Sequence, residues 1–410
     1  MSKLRLAFIS PVFLFPTDAG GKIRTSNILR GLKGGAFDVT LLSPASDTQP
    51  TQWADALVEV SDRYEAWHPT PERPRWRRAL DLVREMPVNV CNDNTPAARE
   101  RVTHSLSKGA FDVVVFDFVH ATVLRPSRLE TASVCFTHNV EAEIFARHAK
   151  QARNPFMRRV WASQHLKMQR FERDALRSFT SVIAVSERDA AFFRQHYGLD
   201  GVVDIPTGVD LDFFSWTPPP PVDEQHPPTV VFTGSMDWEA NIDGVTHFLD
   251  DVWPLILREM PQARFVVVGR RPPASLVARA QGLSGVSFTG FVDDVRPYVH
   301  AAHAFIIPLR VGGGTRIKAF EAMALGCPVV STSIGIEGLD VTPDRHYLLR
   351  DAATDQADAV LTLLRDAALR ERVSREARAC VEARYGHRVA AEVFERICLQ
   401  AVESYGTWRL

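Results

Sequence analysis

The chain has 410 residues, with 48 Lys and Arg against 49 Asp and Glu, and a formal net charge of −1 at pH 7. This length is ample for two hydrophobic cores, and the balanced charge excludes the strongly basic surface typical of nucleic-acid-binding proteins. The five cysteines are scattered and no stretch of about 18 apolar residues occurs, so we expect reduced thiols, as in a cytoplasmic protein, and no membrane-spanning segment.

The first predicted strand is Leu4–Ile9, and a loop ending in Gly20-Gly21 leads into a helix that runs from Lys22 to about Leu32. Lys22 and Arg24 stand in the first turn of this helix, where the helix dipole disfavours cations. Glycines before a helix also leave backbone N–H groups available to an anion. The segment therefore resembles an anion site, although a Gly-Gly turn with a solvated lysine explains the same residues.

Short β-branched runs along the rest of the first half predict strands that are buried in a parallel sheet. They are Val39–Leu42, Asp112–Asp117, Ser133–Phe136, Ser181–Val185 and Val202–Ile205. A helix is predicted at Pro96–Lys108, and Ser186 is expected to cap another helix.

A basic and aromatic cluster lies in the mixed stretch Gln52–Met86. It consists of Arg73, Arg75, Trp76, Arg77 and Arg78. Aromatic residues among cations are typical of contact with an anionic membrane surface, and they also occur on solvated loops. Both interpretations stay open, so peripheral contact with the inner face of the cell membrane is an expectation alongside a cytoplasmic location.

A long helical pattern covers Ile144–Arg177. From Met157 onward one side of the helix is apolar, and four arginines fall near the opposite side. The apolar stripe comprises Val160, Trp161, Met168, Phe171 and Ala175. An interfacial helix shows this pattern, but so does a helix packed on a core. Because the neighbouring segments are strands of a globular domain, we favour core packing.

Thr137-His138-Asn139 directly follows a predicted strand. Ligands of open α/β sheets bind at the carboxyl ends of the strands, so His138 is a candidate for a polar contact to a ligand. A buried structural histidine would fit the same position.

The segment 216–228 reads WTPPPPVDEQHPP, a proline density typical of a stiff connector between domains. The second half then repeats the plan of the first. Strands are predicted at Thr229–Thr233, Arg264–Val268, Val286–Gly290 and Ala304–Pro308.

Three glycines, Gly312, Gly313 and Gly314, precede a helical run from Thr315 to Leu325. Arg316 and Lys318 lie in its first turn, where cations are again disfavoured unless an anion is bound. A phosphate or diphosphate is the simplest such anion. A surface helix in which Lys318 pairs with Glu321 would explain the cation but not the glycines.

The run EAMALGCPVV at 321–330, after the loop GGGTRIK, resembles the nucleotide-binding segment of family 4 retaining glycosyltransferases. The resemblance implies an α/β chain of the GT-B fold, with two Rossmann-like, doubly wound domains facing each other across a cleft. It implies an acceptor-side domain over 1–215, the Pro-rich linker 216–228, a nucleotide-sugar-binding domain over 229–386, and a terminal helix over 387–410 that crosses back to the first domain.

The implied reaction moves a hexosyl group from a UDP- or GDP-linked sugar to a glycan or lipid-linked acceptor, in surface polysaccharide or glycolipid assembly. Arg316 and Lys318 would stabilise the departing diphosphate, and His138 would contact the sugar or the acceptor. No metal or other cofactor is expected. The resemblance implies donor contacts from Gly20, Gly21, Gly234, Gly269, Arg270, Phe291, Val292, Gly313, Gly314, Thr315 and Glu321.

This sequence departs from the family pattern at Gly313, where the family often has a second glutamate. That departure motivates an alternative, a non-catalytic protein that binds nucleotide sugars. An epimerase or a phosphorylase on the same fold is a second alternative.

Overall fold

The computed structural model describes residues 3–17, 20–69, 81–82, 84–152, 154–311 and 317–407. The chain divides into two compact units, Met1–Gly208 with His387–Leu410, and Val209–Gly386. Each unit is built around its own parallel sheet. Within the described ranges, no helix is both long enough and apolar enough to cross a lipid bilayer.

The first unit contains a seven-stranded parallel sheet in the order β3-β2-β1-β4-β5-β6-β7 among its described residues. The strands are β1 (Leu4–Ile9), β2 (Phe37–Pro44), β3 (Arg63–Trp67), β4 (Val113–Asp117), β5 (Ala132–Phe136), β6 (Ser181–Ala184) and β7 (Val202–Asp204). The helices are α1 (Gly20–Leu32), α2 (Gln49–Gln52), α3 (Ala54–Val60), α4 (Val88–Asp93), α5 (Pro96–Lys108), α6 (Glu141–Gln151), α7 (Pro155–Leu176) and α8 (Glu187–Tyr197). A 3₁₀ helix spans Val119–Leu124.

The second unit contains a six-stranded parallel sheet in the order β10-β9-β8-β11-β12-β13 among its described residues. The strands are β8 (Thr229–Thr233), β9 (Arg264–Val268), β10 (Val286–Gly290), β11 (Ala304–Ile307), β12 (Val329–Ser331) and β13 (Leu348–Leu349). The helices are α9 (Glu239–His247), α10 (Trp253–Glu259), α11 (Ala274–Ala280), α12 (Arg296–His300), α13 (Ile317–Leu325), α14 (Ala353–Arg365) and α15 (Ala367–Arg384). A π-helical turn, Phe248–Val252, joins α9 to α10.

The central strands of both sheets are buried on both faces, as the apolar runs in the sequence predict. Leu6, Phe8 and Val115 lie on one face of the first sheet, and Val230 and Phe232 lie on one face of the second. Helices cover both faces, so each sheet is doubly wound. This confirms the predicted α/β fold class.

The last helix, α16 (His387–Thr407), groups with the first unit. It packs beside α1, and the ring of Phe394 lies 5.3 Å from that of Phe136 in β5. The helices approach closely at Gly31, where an added Cβ would lie 2.3 Å from the Cβ of Ala391.

The Pro-rich segment 216–228, predicted to be a linker, lies within the second unit, because the units divide between Gly208 and Val209. Trp216 Nε1 donates to Ser374 Oγ at 3.0 Å, and His303 Nε2 lies 2.9 Å from the carbonyl oxygen of Pro221. These bonds hold the prolines against the second unit's own helices and sheet. The segment is therefore attached along its length and does not hang freely between units.

Two other local predictions need correction. The stretch 52–86 contains an edge strand, β3, which periodicity missed because Arg63–Trp67 is polar and mostly half-buried. The helical pattern 144–177 forms two helices, since Asn154 and Pro155 begin α7 as a new helix. Core packing of the apolar stripe of α7 is confirmed, but two polar residues, Gln164 and Glu172, are also fully buried there.

Candidate active site

The second unit has its topological switch point between β8 and β11, the central neighbours from which strand order runs in opposite directions. Ligands of doubly wound sheets bind beside the carboxyl ends of strands at such a point. Gly234 follows β8 here, and Gly269 and Arg270 follow the adjacent strand β9.

Lys318, in the first turn of α13, reaches the end of β8. Its Nζ atom lies 3.0 Å from Asn241 Oδ1 and 4.4 Å from the ring centroid of Phe232. A Cβ added to Gly234 would lie 2.8 Å from the same Nζ atom. The ammonium group therefore sits against bare backbone at the switch point. The sequence predicted Lys318 but neither of its neighbours, because Asn241 and Phe232 carry no motif.

The loops after β8 and β9 touch through two glycines. A Cβ added to Gly269 would lie 1.9 Å from the carbonyl oxygen of Gly234, a distance that no side chain tolerates. The amide of Gly234 in turn donates to the Val268 carbonyl at 2.9 Å. Glycine is thus required at 269 so that the β8 loop can lie against the end of β9.

Arg270 is used within this pair of loops. Its Nε donates to Ser235 Oγ at 3.0 Å, and Ser235 Oγ donates to Asp237 Oδ1 at 2.6 Å. Arg271 Nη1 lies 3.3 Å from Asp237. The hydrogen bond from Ser235 and the nearby charge of Arg270 hold the pKa of Asp237 below its ordinary value. The loop after β8 has no Arg or Lys of its own, and Arg270 reaches it from the loop after β9. This contact could not be predicted from the linear sequence.

Glu321 lies three residues after Lys318 on α13 and is half-buried. Burial raises the pKa of its carboxyl to about 7, and the charge of Lys318 opposes that effect.

Phe291 and Val292 follow β10 at the sheet edge, two strands away from β8. Phe291 is 72% exposed, while Val292 packs against the core.

Four residues predicted to contact the donor lie outside the described residues: Gly313, Gly314, Thr315 and Arg316. Their roles stay predictions.

The first unit has its switch point between β1 and β4. Three of its strands end there in polar residues: Ser10 after β1, Asp117 in β4, and His138 after β5. The buried carboxylate of Asp117 accepts hydrogen bonds from Ser10 Oγ at 3.1 Å and Thr25 Oγ1 at 3.0 Å. His138 Nε2 lies 2.7 Å from Asp117 Oδ1. The sequence predicted His138 alone of these four, although Asp117 is also recognisable as a polar residue that ends an apolar strand.

The imidazole of His138 is buried and lies on the ring of Phe118, with centroids 4.0 Å apart and planes 19° apart. Burial lowers the pKa of His138, and the carboxylate of Asp117 opposes this effect. A neutral ring donates from Nε2 to Asp117, which leaves a lone pair on Nδ1. Among the described residues, Nδ1 has no hydrogen-bond partner. This atom can accept a hydrogen bond from a hydroxyl group.

The glycine pair before α1 has two different environments. A Cβ added to Gly21 would lie 2.6 Å from Phe118 Cζ, whereas one added to Gly20 would meet nothing within 4 Å. Gly21 therefore allows Phe118 to lie against His138. Arg24, predicted to be a cation in the first turn of this helix, is not presented to solvent. It is buried, its Nε donates to the Thr207 carbonyl at 3.3 Å, and burial lowers its pKa to about 10.

A buried glutamate fixes the segment that follows His138. Glu172 in α7 accepts from the backbone amides of Glu141 at 2.8 Å and Ala142 at 3.3 Å, at the start of α6. The hydroxyl of Tyr197 donates to the same carboxyl at 2.7 Å. Burial raises the pKa of Glu172 to about 8, against the effect of these donors. Glu172 thereby caps α6 from another helix.

A cavity of about 170 Å³ lies at the carboxyl ends of β1, β2 and β3. Pro11, Pro44, Trp67, Pro69, Asn92, Asp93, Thr95 and Leu124 line it. Asp93 Oδ2 lies 2.5 Å from His120 Nδ1. Burial acts to lower the pKa of His120, but the hydrogen bond and charge of Asp93 outweigh burial and raise it. The cavity lining thus includes an indole side chain and a carboxyl group that is bonded to His120.

Two family models match the chain. The model described as Glycosyltransferase Family 4 matches residues 19–213, and the model described as Glycosyl transferases group 1 matches residues 227–366. Each match covers most of one half of the chain.

A curated relative is the phosphatidyl-myo-inositol mannosyltransferase of Mycobacterium leprae. It is 30% identical over 195 residues, which is 46% of this chain and 51% of that protein. The chain thus aligns with only about half the length of this relative.

Solved structures share the fold over nearly their whole length. Sucrose-phosphate synthase from Thermosynechococcus elongatus has a TM-score of 0.66 at 19% identity, and the match covers 99% of both chains. Anabaena HepE in complex with UDP has a TM-score of 0.65 at 14% identity, and the match covers 98% of this chain and 100% of that one. These structures have the GT-B fold. The two family matches, one on each half, and the mannosyltransferase relative together support a glycosyltransferase of family 4.

Proposed function

We propose that the protein transfers a hexosyl group from a nucleoside diphosphate sugar to a glycan or lipid-linked acceptor, with retention at the anomeric carbon. The observation that carries the proposal is the ammonium group of Lys318 beside Gly234 at the end of β8. A cation against bare backbone at a switch point suits a diphosphate, because no side chain at Gly234 blocks the approach of its oxygens to the cation.

Lys318 acts on the leaving group. When the bond between the anomeric carbon and the diphosphate oxygen breaks, negative charge grows on the diphosphate, and a fixed cation stabilises that charge. Arg316 is proposed to add a second cation from the glycine loop. Glu321, one turn farther along α13, is proposed to accept hydrogen bonds from the ribose hydroxyls, and the loops of Gly269 and Phe291 to border the base.

The proton balance needs no separate base. The acceptor oxygen forms a new bond to the anomeric carbon, and its hydroxyl proton passes to the departing diphosphate oxygen. His138 fits a supporting role, because its lowered pKa and its bond to Asp117 leave Nδ1 as a hydrogen-bond acceptor. We propose that Nδ1 receives a hydroxyl of the sugar or the acceptor, which fixes the orientation of that group.

The acceptor is proposed to bind in the first unit, at the cavity lined by Trp67 and Asp93. An indole face packs against sugar rings, and the pair of Asp93 and His120 offers a hydrogen bond to their hydroxyls. The name of the Mycobacterium relative favours a lipid-linked acceptor. Surface polysaccharide or glycolipid assembly on the cytoplasmic side of the membrane is the proposed setting.

We further propose that the reaction needs no metal ion, because Lys318 and Arg316 supply the positive charge that a divalent cation supplies to diphosphates elsewhere. Turnover should then be unchanged in excess EDTA. Activity that disappears in EDTA and returns with magnesium or manganese would contradict this part.

The first experiment is a thermal-unfolding screen of UDP- and GDP-linked sugars. A ligand at about 100 times its Kd stabilises the folded state by about 2.7 kcal/mol, so the true donor should stand out. The donor is then incubated with candidate acceptors, and release of the nucleoside diphosphate is measured.

A transferase releases nucleotide in proportion to a glycosylated product. A sugar isomer formed without nucleotide release would instead identify an epimerase. Donor binding with neither product, across acceptors of both glycan and lipid-linked classes, would favour a binding protein.

A further inference from the structure

The hairpin of α6 and α7 carries a one-sided charge distribution. Residues 144–171 contain seven Arg and Lys residues and no Asp or Glu, although the whole chain is nearly neutral. Arg147, Lys150, Arg159 and Arg170 are exposed. Among the described residues, none of these four side chains forms an ion pair. Their positive charge is therefore directed at solvent or at a partner.

Large apolar side chains stand on the same surface. Phe156 is 70% exposed and Leu166 is 54% exposed. At 100° per residue, both fall on the outward side of α7 with Arg159 and Arg170, opposite the buried Gln164 and Met168. This outward face, defined by Phe156, Arg159, Leu166 and Arg170, extends over about 21 Å of helix. Single exposed apolar residues are common on proteins, so what matters here is that Phe156 and Leu166 share one helix face with Arg159 and Arg170.

We propose that the outward face of α7 binds the surface of an anionic lipid bilayer. Its arginines attract anionic headgroups, and Phe156 and Leu166 enter the boundary between headgroups and acyl chains. Charge complementarity favours this occupant, because residues 144–171 carry seven cations and no carboxylate, which suits a uniformly anionic surface. Asp174, one turn beyond Arg170, pairs with Arg173 Nε at 2.9 Å. Nucleic acid would use the cations but leave the two apolar side chains without a role. A protein partner would ordinarily contribute cations as well as anions.

This surface goes beyond the proposed function, since it would hold the protein at a membrane whatever sugar is transferred. It is separate in sequence from the cluster Arg73–Arg78, which lies outside the described residues. The opposite side of α7 reaches the active site indirectly, because Glu172 on that helix caps the helix that follows His138.

The test of charge uses flotation of the full chain with vesicles of phosphatidylglycerol, compared with phosphatidylcholine alone. We expect binding to the anionic vesicles at low salt that weakens at high salt. Arg159→Glu with Arg170→Glu should weaken it about tenfold or more, because each cation contributes roughly 1 kcal/mol near an anionic surface. The matched control is Arg99→Glu with Lys108→Glu, which changes net charge equally on α5.

The test of insertion uses Phe156→Cys. The five native cysteines are all buried, so a polarity-sensitive maleimide dye will label position 156 selectively. We expect its emission to shift to the blue with phosphatidylglycerol vesicles. Val58→Cys is the control, because Val58 is 67% exposed on α3 and lies on another surface.

Several outcomes would overturn the proposal. They are absence of vesicle binding, equal binding by the α7 and α5 charge variants, and equal dye shifts at positions 156 and 58. Binding to a nucleic-acid duplex but not to vesicles would also overturn it. Thermal unfolding of each variant shows whether a loss of binding reflects a loss of fold.

Discussion

His138 Nε2 lies 2.7 Å from Oδ1 of Asp117, and both side chains are almost completely buried. The carboxylate is also bonded to Ser10 and Thr25, so it cannot turn away from the imidazole. This contact favours the tautomer of His138 that leaves a lone pair on Nδ1, an atom with no hydrogen-bond partner among the described residues.

The pKa of His138 is lowered from an ordinary 6.5, chiefly by burial, so the unfolded chain binds this proton at a higher pH than the folded protein. The free energy of unfolding that the neutral ring contributes is fully present above pH 6.5, and it is lost as the pH falls below that value. We expect this loss to approach about 1.4 kcal/mol per pH unit for one proton. His138→Gln should be less stable overall at neutral pH, but it should lose less on acidification. Urea unfolding at one pH above 6.5 and one pH below it measures this difference, with the exposed His104→Gln as control.

Gly21→Ala should damage the site while Gly20→Ala should be tolerated. The new methyl group at position 21 would meet Phe118 at 2.6 Å, and Phe118 is the ring on which His138 lies. We expect a stability loss of about 1–3 kcal/mol from overpacking and a fall in kcat/KM of about tenfold or more. Equal activities of the two variants would show that the position of Phe118 does not matter.

Lys318→Ala should reduce kcat by about 10²–10³, more than it weakens donor binding, since the diphosphate gains charge only in the transition state. Lys108→Ala is the control. Near-normal turnover by a folded Lys318→Ala protein would remove the observation on which the proposed function rests.

Lys318 also offers a direct binding test, because it is the only lysine in the sequence of the second unit. The donor nucleotide should protect it from acetylation, as measured by mass spectrometry, without protecting Lys108. Unchanged labelling of Lys318 under saturating donor would place the diphosphate elsewhere.

Glu321→Ala should raise the donor KM more than it lowers kcat, because a ribose contact is made equally in the ground and transition states. The pKa of Glu321 is raised to about 7 by burial, so the carboxylate form becomes scarce below that pH. The wild-type donor KM should therefore rise as pH falls below about 7, and this rise should be missing in Glu321→Ala. A KM that depends on pH identically in both proteins would exclude the ribose role.

Glu172→Gln should destabilise the protein at low pH, because an amide cannot accept from all three donors that the carboxyl now receives. One lost hydrogen bond to a buried group costs about 1–3 kcal/mol. The folded pKa is raised from 4.5 to about 8, so the folded state holds a proton that the unfolded state releases. Wild-type stability should thus fall as pH rises from about 4.5 to about 8, and the difference from the variant should shrink over that window. The exposed Glu100→Gln should show no such trend.

The sequence by itself predicted most strands of the two sheets and the helix that follows the three glycines. The predicted strands Leu4–Ile9, Thr229–Thr233, Arg264–Val268 and Val286–Gly290 have the bounds seen in the structure, as does the helix Pro96–Lys108. These elements could be predicted because their signals are local. A β-branched run marks a buried parallel strand, and a proline marks the start of a helix, within a few residues of sequence. Gly326 adopts φ of 89° just after α13, the left-handed position at a helix end that glycine favours.

Only the tertiary structure decided which polar groups meet. Ser10 and Asp117 are 107 residues apart, yet they bond because β1 and β4 are neighbours at the switch point. The same order brings Thr25 and His138 to one carboxylate. Periodicity reports whether a side chain is buried, but a buried polar residue has no periodic signal for its partner. Glu172 went unrecognised for that reason, and so did the bond from Arg270 to Ser235, since both interactions depend on amides or hydroxyls supplied by distant segments.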